Sequence, residues 1–180
     1  MFYITVIVAS VIIITAINVL TGGFIMPTLA SAALAVVAVI ALDGIEAFII
    51  RRLPEKWFLP ESKLFAVSKK EARFYRRLKI NKWKSKVPEL GCFTGFHKDK
   101  LQSSTDKNYL ARFLLESNYG VAIHIANALL GICIIFLPFC SSPAVAVPVA
   151  AVNAVLSLLP VMILRANTPA LKLLYDKSKK

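Results

Sequence analysis

Ile49-Ile50-Arg51-Arg52-Leu53-Pro54-Glu55-Lys56-Trp57-Phe58 marks the point at which the character of this chain changes. Upstream, residues 1–50 contain no lysine or arginine and only two acids, Asp43 and Glu46. Downstream, the cations begin at once. All 22 Lys and Arg residues fall in two stretches, 51–112 and 165–180, and none in the apolar blocks 1–50, 121–139 and 144–164. Cytoplasmic loops of membrane proteins collect positive charge and translocated loops do not. The apolar blocks therefore read as membrane spans, with both basic stretches on the cytoplasmic side, and the net charge of +12 speaks first of orientation.

The composition agrees: 57% of the residues are hydrophobic, against roughly 45–50% in a soluble domain. A span needs about 20 residues, so residues 1–50 hold two helices, and the glycine pair in Thr21-Gly22-Gly23 is the natural break. Residues 121–139 make a third span and 144–164 a fourth, parted by Cys140-Ser141-Ser142-Pro143. The predicted fold is an all-α, polytopic bundle of four transmembrane helices with interfacial amphipathic helices. It is organised as two spans (1–50), a basic interfacial loop (51–119), two spans (120–165) and a tail (166–180). Four spans place both termini in the cytoplasm of a multi-pass cell-membrane protein. The first segment lacks the basic start of a signal peptide and its apolar run is too long for one. Cys92, Cys133 and Cys140 have no paired spacing, so no metal site is expected.

The loop is too small for an independent core and must rest on the membrane or on the bundle. Its start puts cations, then Trp57 and Phe58, at the depth where headgroups meet acyl chains. Ser68-Lys69-Lys70-Glu71 is a capping box and starts a helix. Phe74, Tyr75 and Leu78 lie on one side of it, while Ile80, Trp83 and Val87 lie nearly opposite, which predicts a break near Lys79. Residues 87–104 read as loop. A second amphipathic segment starts at Thr105, with Tyr109/Phe113 and Leu110/Leu114 each sharing a side, and enters the third span with a bend at Gly120.

Ionisable groups in or beside spans are costly unless paired, which makes each a functional candidate. Glu116 and His124 are eight residues apart, about 12 Å along a helix, and Asn127 continues their polar stripe into the membrane. A neutral imidazole at His124 can take a proton from a hydroxyl during group transfer. The plainer reading is a histidine bonded to a neighbouring helix, and for Glu116 an interfacial salt bridge. For Asp43 and Glu46 the plain reading is pairing with Arg51, Arg52 or the basic loop; two carboxylates without a third ligand are a weak cation site. His97, two residues before Asp99, ranks below His124 as a base. The cations Arg73, Arg76, Arg77, Lys79, Lys82, Lys84 and Lys86, interleaved with Phe74, Tyr75 and Trp83, read as a surface for anionic inner-leaflet lipids or for donor phosphates, not for nucleic acid.

Four pieces in order carry a family resemblance: Arg52-x-Pro54-Glu55-Lys56-Trp57-Phe58, then Phe74-Tyr75 ahead of Lys82-Trp83-Lys84, then Glu116 with His124, then Arg165-x-Asn167-x-Pro169-x-Leu171. Over roughly residues 52–175 the chain resembles the glycosyl-4,4'-diaponeurosporenoate acyltransferase family, small membrane enzymes of carotenoid pigment synthesis. Val121 and Ala170 stand where the family has an acid and an arginine. The resemblance implies transfer of a fatty acyl group to a sugar hydroxyl of a membrane-held glycolipid or terpenoid glycoside, with acyl-CoA as co-substrate and no bound cofactor. On that reading His124 is the general base and Glu116 orients it. Arg77, Lys82 and Lys84 hold donor phosphates, Trp83 stacks or anchors, and Asn127, Arg165 and Asn167 complete the substrate site. A non-catalytic lipid-binding protein and a transferase of methyl or glycosyl groups are the alternatives.

Overall fold

The computed structural model describes residues 2–87, 101–137 and 142–179, and among these there is no β-strand. Four helices are long and apolar enough to cross a membrane: α1 (Phe2–Leu20), α2 (Ile25–Ile50), α5 (Lys107–Leu130, continued as a 3-10 segment through Phe136) and α6 (Pro143–Lys177). Between α2 and α5 lie two short 3-10 turns, then α3 (Lys69–Arg77) and α4 (Ile80–Trp83). The α1–α2 break falls at the glycine pair. Gly22 takes φ 97°, a region open to glycine at no steric cost, and Gly23 donates its N–H to Asn18 O at 2.8 Å. Pro27, in the first turn of α2, lacks an N–H that would have no partner in the helix anyway.

The chain divides into two compact units: residues 1–49 with 123–158, and residues 50–122 with 159–180. The first is built from α1, α2 and the apolar parts of α5 and α6. Its core joins Ile14, Ala32, Ala35, Val39, Ile134, Val145, Ala146, Val149 and Ala150. The alanines let helix backbones approach closely, the usual device where lipid removes any hydrophobic drive between helices. Large aliphatics point outward instead, Ile4, Ile12, Ile17, Val37 and Ile40 among them. Such a surface suits acyl chains and not water.

The second unit holds the basic loop together with the polar ends of α5 and α6. Leu110, Phe113 and Leu114 of α5 pack with Leu171 and Tyr175 of α6, and Tyr109 packs partly buried against them. The α6 helix continues through the region read as a tail, and its 35 residues exceed the about 20 that cross a hydrocarbon core.

The capping box forms as read, with Glu71 N–H donating to Ser68 Oγ at 3.1 Å. The helix breaks where the periodicity changes: Lys79 adopts a left-handed conformation at φ 51°. That single residue redirects the chain, and Tyr75 and Ile80, on opposite sides of an ideal helix, are both buried. One expectation changes. Phe58 is not a headgroup anchor: it is buried, stacks on Tyr119 with ring centroids 4.1 Å apart, and its carbonyl accepts from Asn118 at 2.8 Å. Only Trp57 of that aromatic pair stays exposed. The α5 helix includes Gly120, and the change of helix type comes at Gly131.

Gly131 is required by a close approach. A Cβ there would collide with the amide of Asn153, which donates to Asn127 O at 3.0 Å. Gly131→Ala is expected to break that bond and cost about 1–3 kcal/mol, read as a lower thermal midpoint in detergent; an unchanged midpoint would show that the helices part freely.

Candidate active site

The residues singled out by sequence resolve into two sets of contacts, one in each unit. In the second unit Arg165 forks onto Glu71, with Nε 2.5 Å from Oε1 and Nη2 2.9 Å from Oε2, and reaches Ala66 O at 3.3 Å. Tyr75, one turn along α3, donates to the same Oε1 at 2.7 Å. Lys84 donates to Asn167 Oδ1 at 3.1 Å. A single turn of α6 thus holds both α3 and the basic segment after α4. A bidentate arginine–carboxylate pair combines charge with fixed geometry, and both side chains are largely shielded.

These pairings set the local electrostatics. The Arg165 guanidinium holds the Glu71 carboxyl below its ordinary 4.5, Tyr75 adding to the effect. Burial, reinforced by the Glu71 carboxylate, pushes the Tyr75 phenol up to about 12, so Tyr75 is a hydrogen-bond donor at neutral pH and not a base. Glu61 is held down at about 2, first by the hydrogen bond from Lys179 at 2.8 Å and then by that from Tyr175 at 2.9 Å. Sequence reading missed Glu71, Tyr75 and Glu61 as partners. The available signal was Arg165 itself, a lone cation at the end of an apolar run, which requires an acid from elsewhere in the chain.

Glu116 is buried and paired with Arg51 at 2.9 Å, with Arg112 at 3.6 Å one turn before it. Arg51 also lies over the Tyr119 ring, 5.4 Å from its centroid. The salt-bridge reading of Glu116 therefore describes its carboxylate. Trp83 donates its indole N–H to Leu78 O at 3.1 Å and is half-buried, which fixes the ring against its own turn. Arg77 and Lys82 are exposed. His97 lies outside the described residues.

In the first unit the polar stripe of α5 meets α2 and α6. Asn127 donates to Glu46 Oε2 at 2.8 Å and to Ile123 O at 2.9 Å. Asn153 of α6 donates to the Asn127 carbonyl. All three side chains are buried. The expected pairing of Glu46 with Arg51 is thus replaced: the amide of Asn127 takes Glu46, and Glu116 takes Arg51. An amide suits an apolar interior because it satisfies a carboxylate without bringing a second charge out of water. His124 is half-buried, one turn before Asn127 on the same helix. The cavity of about 340 Å³ lined by Thr28, Ser31, Leu34, Ser142 and Val145 contains none of these residues. Among the described residues no cluster of three metal-ligating side chains occurs.

An all-helical chain with four span-length apolar helices and an ion-paired basic unit is, by class, built like a small integral-membrane protein. Residues 54–177 match the family model for glycosyl-4,4'-diaponeurosporenoate acyltransferase, and the chain belongs to that family. No curated protein and no solved structure matches it. The family's name denotes acyl transfer to a glycosylated carotenoid acid.

The Glu71 pair makes a pH prediction. Above about pH 4.5 the carboxyl is ionised in folded and unfolded chains alike, and the pair contributes fully. As pH falls, the unfolded chain is protonated first, so the contribution is lost downward through the depressed folded value. Glu71→Gln is expected to cost about 1–3 kcal/mol at pH 7 and to flatten the decline below pH 4.5 in detergent melts. Parallel pH profiles for wild type and variant would remove this role.

Proposed function

We propose that this protein transfers a fatty acyl group from acyl-CoA to a sugar hydroxyl of a membrane-held carotenoid glycoside. The observation that carries the reading is the family match over residues 54–177. It is supported by the second unit, where residues that carry the resemblance are held together: Lys84 bonds Asn167 directly, and Tyr75 and Arg165 share the carboxylate of Glu71. Contacts across about 60 to 100 positions of sequence hold those side chains in place.

His124 acts as general base in this proposal. It accepts the hydroxyl proton as the sugar oxygen bonds to the thioester carbonyl carbon. The carbon–sulfur bond then breaks, and the proton passes to the departing coenzyme thiolate. The reference imidazole pKa of about 6.5 suits a proton carrier near neutral pH. Exposed Arg77 and Lys82, with Lys84 steadied by Asn167, hold the donor phosphates, and Trp83 forms an apolar edge beside them. Arg165 acts by positioning α3 through Glu71. Glu116, held by Arg51, orients the imidazole from the same helix in this proposal.

Exposed Phe74 beside exposed Arg73, Arg76 and Arg77 supports a further role for α3 at an anionic leaflet, where each cation contributes about 1 kcal/mol. With both basic stretches on the cytoplasmic side, a water-soluble acyl donor meets them directly.

In nanodiscs, labelled acyl-CoA and glycosyl-4,4'-diaponeurosporenoate are expected to yield acylated glycoside. His124→Gln is expected to lower kcat about 10²–10⁴-fold. A folded His124→Gln protein at full rate would remove the base, and absence of acyl product with wild type would remove the reaction.

A further inference from the structure

The mechanism above leaves one buried acid without a task. Glu46 is 6% exposed, and it sits on α2, whose other buried residues are Thr28, Ala32, Ala35 and Val39. Its Oε2 accepts from the Asn127 amide at 2.8 Å. Its Oε1 is buried and has no hydrogen-bond donor among the described residues, and the same holds for Oδ1 of Asp43, three residues earlier on the same helix. Residues three apart on a helix share a face. Buried oxygens without donors are uncommon because each forfeits the hydration it had in the unfolded chain. A structural role alone would be met equally well by glutamine, which brings no charge into an apolar bundle.

We propose that Glu46 is a sugar-binding residue, its Oε1 accepting a hydroxyl of the acceptor's glycosyl group, with Asp43 Oδ1 available to a neighbouring hydroxyl. Polyhydroxyl ligands fit because they supply several O–H donors from one rigid ring, which is the chemistry these two acceptors lack. A carboxylate binds a hydroxyl more strongly than an amide would. Asn127 serves as the brace: it anchors Glu46 by one N–H and ties α2 to α5, on which His124 stands one turn away. Asn153 locks that brace from α6. The subsite therefore involves three of the four long helices and lies wholly within the first unit. It rests on the proposed acceptor class and adds to it the residue that recognises the sugar.

The test is equilibrium binding by the full chain in nanodiscs, followed by the visible absorbance of two probes, glycosyl-4,4'-diaponeurosporenoate and the same carotenoid acid without its sugar. Wild type is expected to bind the glycoside more tightly. Glu46→Gln is expected to weaken glycoside binding about tenfold or more, the loss of one hydrogen bond to a charged group, and to leave the sugar-free acid unaffected, which also reports that the bundle is intact. Asp43→Asn is expected to give a smaller loss in the same direction. Equal losses for both probes, or no loss for either, would overturn the subsite. So would a wild-type protein that binds the two probes equally. Discriminating binding without acyl transfer would keep the subsite and overturn the acyltransferase reading, so the two failures are distinguishable.

Discussion

A carboxylate removed from water must find hydrogen-bond donors or counter-charges, and that requirement places the acids which organise this structure. Glu71 takes Arg165 and Tyr75, Glu116 takes Arg51, and Glu46 takes the amide of Asn127. Each pairing ties together elements far apart in sequence. Without the first, α3 would lose its carboxylate tie to α6; without the second, the turn after α2 would lose its salt bridge to α5. The third differs in kind, since it sits among apolar helices and uses an amide where the other two use guanidinium groups.

The two units solve the problem of cohesion differently. In the first, apolar side chains cover both the inside and the outside, so helix contact comes from small residues and from the few polar groups that must be satisfied. In the second, ion pairs, hydroxyl bonds and aromatic stacking hold a loop of about sixty residues that has too little apolar surface for a core of its own. The long α6 belongs to both, apolar in its first part and carrying Arg165, Asn167, Leu171 and Tyr175 in its second.

The local features were legible because they depend on neighbours in sequence. The glycine break at Gly22, the cap at Ser68 and the reversal of side at Lys79 each follow from propensity or periodicity within one or two helical turns. Phe58 was misread for the opposite reason. A Trp–Phe pair after arginines has the composition of a headgroup anchor, and only the ring of Tyr119, 61 positions later, turns Phe58 inward. The partner of Glu46 was hidden in the same way, since two arginines stand five and six positions on and the chosen Asn127 stands 81 positions away.

By itself the sequence determined the helical class, the number of span-length segments, their breaks and the family. Hydrophobic length, charge segregation and short motifs are properties of the linear chain, and a water–lipid boundary acts on them directly. Which acid meets which cation, which aromatic is buried, and which carboxylate oxygen is left without a donor were decided only by the tertiary structure. Those outcomes rest on distances of about 3 Å between helices, and no spacing along one helix encodes the register of another.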